Sequence, residues 1–196
     1  MKVLALELSA PIGSIAFCDD GARLFRTFPA DRKDSGLFYE NLEGIYRESG
    51  LPEVIVVGLG PGSYAGVRIA IATAVGLKAA ANARLVGLPS ICAIDQNEYL
   101  FVGDARRGSF FFAHVVRGCC VEGPKLASEE EIRAKLQAGR PLPGVATQTL
   151  PQFEELTIEH PSALRLVELA TQTECLIEEE LEPIYLREPY ITTPRQ

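Results

Sequence analysis

The sequence predicts an α/β protein of two lobes, on three observations. Val54-Ile55-Val56-Val57 is a continuous β-branched run of the kind buried on both faces of a sheet. The elements up to residue 97 alternate as β-β-β-α-β-α-β-α, an order that builds a sheet with helices packed on it. At Tyr99 the strand pattern begins again. The chain therefore divides into lobes 1–97 and 98–196, the second smaller and poorer in regular elements.

Val3 to Leu8 is a short apolar strand, broken by Ser9-Ala10-Pro11-Ile12-Gly13, and Ser14 to Cys18 resumes it. Asp19-Asp20-Gly21 reads as a hairpin turn because Asp-Gly readily supplies positive φ, so Ala22 to Phe28 returns antiparallel. Ser35 to Glu48 carries Phe38, Leu42 and Ile45 at helical spacing and is closed by Ser49-Gly50 and Pro52. The Val54 strand leads through Gly58-Leu59-Gly60-Pro61-Gly62-Ser63 into a helix ending near Asn82. Arg84 to Leu88 is a strand, and Ser90 to Asp95 a helical turn. Tyr99 to Val102 and Ser109 to Val116 pair around Asp104-Ala105-Arg106-Arg107-Gly108, and Ser128 caps a helix running to Ala138. Prolines 141, 143 and 151 mark a loop with room for one short strand. Ser162 to Thr171 is helical, and a further helical turn is expected over 176–181.

Composition removes several function classes. The 196 residues carry 19 Lys+Arg against 26 Asp+Glu, a net charge of −7. Autonomous nucleic-acid binding, which needs a positive footprint against phosphates, is disfavoured. The longest nearly apolar stretch, Ile69 to Leu77, is far short of the roughly 20 residues of a membrane span. No signal peptide is evident at the start. Five cysteines without a C-x-x-C spacing fit neither a disulfide framework nor a zinc site, and the expected compartment is the reducing cytosol. His114 and His160 stand in no paired ligand spacing, so no metal site and no metallopeptidase is expected.

The most informative segment is Gly60-Pro61-Gly62-Ser63-Tyr64-Ala65-Gly66-Val67-Arg68. Glycines permit close backbone approach, and the helix start presents free N–H groups and a positive dipole end, where an anion could be held. The Lys-Ser/Thr ending of a Walker loop is missing. G-x-G-x-x-A is formally met, but the next strand, Arg84 to Leu88, offers no acid for a ribose. A tight turn that binds nothing fits equally well. Behind it, only Arg68 and Lys78 are charged between Tyr64 and Ala81. Such a helix must be covered nearly all round. Small residues form two rows, Gly66-Ala70-Ala74 and Ala72-Gly76-Ala80. One can sit on the sheet, and the other meets either a neighbouring helix of the lobe or another subunit, with Tyr39 and Tyr46 of the preceding helix beside it.

These motifs together resemble a known family. Leu4-Ala5-Leu6-Glu7-Leu8-Ser9, the glycine segment to Ala70, Asp104-Ala105-Arg106-Arg107-Gly108 and Pro183-Ile184-Tyr185-Leu186-Arg187 are similar, in order, to the TsaB (YeaZ) family. The likeness covers 1–117 well and the tail fairly. It implies an actin-like, Hsp70-type fold of two related lobes. It also implies an accessory, non-catalytic subunit without a cofactor, acting in the cytoplasm with the catalytic paralogue TsaD and the ATPase TsaE. Together they would transfer a threonylcarbamoyl group to the adenosine beside the anticodon of tRNA, which the chain would meet only through the complex. Alone it would form a homodimer. The spacing on the two helices and the small rows place the expected partner interface at Phe38, Tyr39, Leu42, Tyr46, Gly66, Arg68, Ala70, Ala72, Ala74 and Gly76, and Ser9, Gly60, Gly62, Ser63 and Asp104 are the expected nucleotide or phosphate loop.

Two positions depart from the family pattern. Glu7 stands where most members keep an Asp, and Arg32-Lys33-Asp34-Ser35 where relatives usually have a histidine. The added methylene of Glu7 displaces the carboxylate enough to spoil a metal-water position. The competing function is an actin-like small-molecule kinase with ATP between the lobes, held by Asp104 and the Gly60 loop. A paired-glycine adenosine motif in the second lobe is missing.

Overall fold

The computed structural model describes residues 1–30, 35–106, 108–137, 142–172, 177–178 and 181–186. Arg32, Lys33, Asp34, Arg107, Cys175 and Arg187 lie outside them.

Strands β1 (Val3–Glu7), β2 (Ile12–Asp19) and β3 (Ala22–Pro29) form the expected meander, turned at Asp20 and Gly21 with φ of 38° and 102°. Helix α1 (Gly36–Ser49) follows and buries Phe38, Leu42 and Ile45, the residues its periodicity marks. Then come β4 (Val54–Gly58), α2 (Tyr64–Ala81) and β5 (Arg84–Leu88), with a single 3₁₀ turn at Ser90–Cys92. The second sheet has β6 (Glu98–Asp104), β7 (Phe110–Val116), β8 (Cys119–Ala127), β9 (Gly144–Ala146) and β10 (Thr157–Ile158), with α3 (Glu129–Gln137) between β8 and β9. Ser128 and Glu131 close a reciprocal capping box at its start. Helix α4 (Ala163–Gln172) and β11 (Ile177–Glu178) are the last regular elements among the described residues. Of the helical turn expected over 176–181, residues 177–178 are instead strand β11, paired on the open edge of β5, while 176, 179 and 180 lie outside the described residues.

The sheets repeat one plan. The first runs β11-β5-β4-β1-β2-β3, with β1, β4 and β5 parallel, and the second runs β10-β9-β6-β7-β8, with β6, β9 and β10 parallel. Both begin with a meander whose first strand pairs in parallel with a later strand. Alternation along β1 sends Leu4 and Leu6 toward α1 and α2, and Val3 and Ala5 into a central cluster shared with Tyr99, Phe101 and Ala113 of the second sheet. Helix α4 contributes Ala163 and Leu166 to that cluster and packs on β1, β2 and β4. A third cluster, around Leu100, Phe112 and Phe153, lies under α3.

On α2 the two small-residue rows separate. Ala70 and Ala74 are buried on the sheet with Val67, and Gly66 stands over the chain at Leu8. Ala72, Gly76 and Ala80 are exposed. By length and composition α2 qualifies as a bilayer span, where the shorter Ile69–Leu77 stretch did not, but its buried row makes it a helix of this lobe.

Candidate functional site

A cleft of about 310 Å³ opens between the two sheets. Its first wall is the turn after β1. Ser9, nearly buried, donates its N–H to Glu7 Oε1 at 2.7 Å and accepts the Ser63 N–H on its carbonyl at 2.7 Å. The second wall is the loop into α2. Ser63 caps the helix by accepting the Gly66 N–H at 3.3 Å. Gly60, at φ 85°, is anchored from behind: its N–H donates to Ser90 Oγ at 2.9 Å and its carbonyl accepts the Ser90 N–H at 2.8 Å.

Glycine is required at 62 and 66 by close approach. A Cβ on Gly62 would stand 2.2 Å from the Ser9 carbonyl oxygen, and one on Gly66 2.0 Å from that of Leu8. The turn after β1 thus lies tight against the loop and first turn of α2, with the Ser9 carbonyl taking the Ser63 N–H.

The third wall comes from the second sheet. Asp104, at the end of β6, accepts the Arg106 N–H on Oδ1 at 2.6 Å, with Arg106 at φ 63°. Ser9, Gly62, Ser63 and Asp104 from the expected phosphate set therefore meet at one cleft, while Gly60 supports its floor. Sequence reasoning missed Thr147 and Gln148, which follow β9 and line the cleft opposite. Their signal was positional: they follow β9 as the glycine loop follows β4. Tyr185 also lines it, from the tail segment whose Ile184 N–H donates to the Leu59 carbonyl at 2.9 Å.

Glu7 is fully buried and is not among the residues lining the cleft. Its Oε2 has no hydrogen-bond partner and lies against Gly58, where a Cβ would stand 1.8 Å from it. Burial pushes its carboxyl above the ordinary range, tempered by Ser9 and Ser90. The folded state therefore resists ionisation that the unfolded chain accepts near its usual 4.5, and stability falls as pH rises from there toward the folded pKa. Glu7→Gln, the neutral shape-match, is expected to melt higher than the parent at pH 7, with the difference vanishing below pH 4.5. Thermal melts between pH 4 and 8 check this, and a variant that melts lower at pH 7 would contradict it.

Of the expected interface residues, Phe38, Leu42, Ala70 and Ala74 are corrected: all four are buried in the lobe's own core, because their faces meet the sheet. Gly66 is turned to Leu8, and the Tyr46 ring packs against the same core. Tyr39, Arg68, Ala72 and Gly76 are exposed. Arg68 donates to the Tyr64 hydroxyl and stands 5.0 Å from that ring's centroid, and the Tyr64 and Tyr185 rings meet in a tilted pair with centroids 5.5 Å apart. Among the described residues no three His, Cys, Asp or Glu side chains come together as metal ligands.

Residues 47–130 match a family model described as TsaD, tRNA N6-adenosine threonylcarbamoyltransferase. A Haemophilus influenzae protein, tRNA threonylcarbamoyladenosine biosynthesis protein TsaB, is 27% identical over 95% of this chain and 94% of its own length. An uncharacterized protein of Mycobacterium leprae is 32% identical over 41% of this chain and 23% of its own. Two solved structures from Pseudomonas aeruginosa share the fold at 21% identity. One is a protein with similarity to peptidase YeaZ (TM-score 0.78, 95% of this chain and 99% of that one) and the other YeaZ (TM-score 0.76, 94% and 99%).

Proposed function

From the premise that this chain belongs to the TsaB (YeaZ) family, with its actin-like α/β fold and its place in tRNA threonylcarbamoyladenosine biosynthesis, we propose that it is a non-catalytic subunit that binds TsaD. The observation that carries this reading is the exposed Ala72-Gly76-Ala80 row of α2. Its small residues let a second backbone approach closely, and Val75 beside them adds exposed apolar surface. Lobe 1–97 is the partner-facing one and 98–196 the second. The tail amends that division, since α4 and β11 pack on the first sheet. Alone, the chain pairs with its own copy through the same face. TsaE joins the complex, tRNA is met only there, and the site of action is the cytoplasm.

The cleft argues against phosphoryl chemistry by this chain. The first-strand acid, Glu7, is turned into the core and does not line the cleft. The competing kinase reading needs that acid in the cleft. The purified chain is expected to release no phosphate from Mg-ATP and to cleave no peptide bond, yet to co-purify with TsaD when the two are co-expressed. Phosphate release that follows the protein through successive columns, or failure to hold TsaD, would overturn the reading.

A further inference from the structure

The exposed row of α2 does not end at Ala72. At the same four-residue step toward the N-terminus stand Arg68 and Tyr64, both exposed. Residues spaced by four form the ridge on which helices pack, so Tyr64-Arg68-Ala72-Gly76-Ala80 is one ridge running the length of α2. Its character changes along the way. Alanine and glycine let a second backbone come close but bury little area of their own, whereas tyrosine and arginine are the side chains that anchor interfaces. Both stand at the N-terminal end.

The tail adds a third such side chain there. Tyr185 is 48% exposed, and its ring lies between the cleft, which it lines, and the Tyr64 ring, with centroids 5.5 Å apart. No helix or strand carries it, yet it is held on both sides. The Ile184 N–H donates to the Leu59 carbonyl at 2.9 Å, Leu181 and Ile184 pack against the core of the first lobe, and Leu186 packs on the central cluster. Gly87 makes room for this path, since a Cβ there would stand 2.8 Å from the Leu181 side chain. A ring fixed in advance loses little freedom when a partner covers it.

We infer that the tail around Tyr185 is part of the docking surface for TsaD, with Tyr64, Arg68 and Tyr185 as its anchor and the Ala72-Gly76-Ala80 row as the seam beside it. This rests on the assignment of α2 to TsaD. Continuity commits the tail to the same partner: Tyr64 lies about 12 Å from Ala72 along the helix axis, and a helix of ordinary length, about 11–12 residues, reaches both. The stretch 47–130 that includes α2 matches the TsaD model, so TsaD has a helix of the same kind to lay on the ridge. The seam sets how near the two backbones come, and the anchor supplies most of the affinity.

Photo-crosslinking and affinity measurement on the full chain with TsaD test it. With p-benzoylphenylalanine in place of Tyr185, irradiation of the mixed proteins is expected to join the two chains. The same probe in place of Val121, exposed on the edge strand of the second sheet, is expected to join none. Tyr185→Ala should melt near the parent, because nearly half of the residue is already in water, and should bind TsaD about 30-fold more weakly or worse, the mark of an interface anchor. Tyr64→Ala, on a different element, should repeat the loss. Ala72→Glu separates this inference from the reading beneath it. If Ala72→Glu weakens binding while Tyr185→Ala and Tyr64→Ala bind as tightly as the parent, the anchor is refuted and the seam stands; if none of the three weakens binding, both fall. No adduct from position 185, or equal adducts from 185 and 121, overturns the proposal even where a variant is too unstable to titrate.

Discussion

Ala70→Glu is expected to abolish folding of the first lobe. Ala70 has no exposed surface and faces the sheet from α2, packed in an apolar cluster. A glutamate there buries an unpaired charge in a space sized for a methyl group, a loss of about 3–5 kcal/mol before overpacking is added. That is a large part of the roughly 5–15 kcal/mol stability of a domain. Two residues on, Ala72→Glu places the same charge in water. It should leave circular dichroism and melting temperature near those of the parent while weakening binding to TsaD, and self-association, about 100-fold or more, because the charge is desolvated only in the complex. Expression, solubility and co-purification of the pair decide this. If Ala70→Glu is soluble and cooperatively folded, the orientation of α2 is wrong, and if Ala72→Glu binds TsaD as well as the parent, the interface lies elsewhere.

Gly66→Ala is expected to destabilise the protein by about 3 kcal/mol, the upper range for forcing a methyl into filled space. Alanine normally gains about 1 kcal/mol over glycine within a helix, so helix propensity alone predicts the opposite sign. Contact wins here because the atom 2.0 Å from the added Cβ is the Leu8 backbone carbonyl oxygen, which cannot rotate aside as a side chain would. Gly76→Ala is the control on the same helix: nothing lies within 4 Å of its Cβ position, and the gain in propensity should be recovered as added stability. Chemical denaturation of both variants measures the contrast, and equal effects at the two positions would refute the account.

Elements whose own residues carry the signal were legible before folding. Phe38, Leu42 and Ile45 sit at helical spacing and all three are buried. Asp20-Gly21 turns where Asp-Gly should, and Ser128 with Glu131 caps where Ser and Glu three apart should. β8 was missed because Cys119-Cys120-Val121-Glu122-Gly123-Pro124 mixes polarity and carries a Pro, marks of an edge strand with no clean alternation. Its turn, Arg117-Gly118 at φ 51° and 75°, repeats the logic of Asp20-Gly21. β10 and β11 span two residues each and exist only through their neighbours' open edges. In the site, the glycine loop, Ser9 and Asp104 could be named from motifs. The inner row of α2 could not, since both rows are equally small, and contact between Gly66 and Leu8 settles it. The direction of the Glu7 side chain depends on Gly58 and Ser90, far apart in sequence, and no local pattern encodes it.

The return of α4 and β11 to the first sheet sets an order on biogenesis. Chains emerge from the ribosome N-terminus first, and domains tend to fold as they appear. Here the face of the first sheet bearing Val3, Ala5, Val54 and Val56 gains its covering helix only at residues 163–172, and β5 receives its edge partner at 177–178. Until then the part of that face that α4 covers, and that strand edge, stay bare, even though every other strand of the sheet has been made. The nascent first lobe is therefore a natural client for a holdase chaperone until residues 163–178 have cleared the exit tunnel.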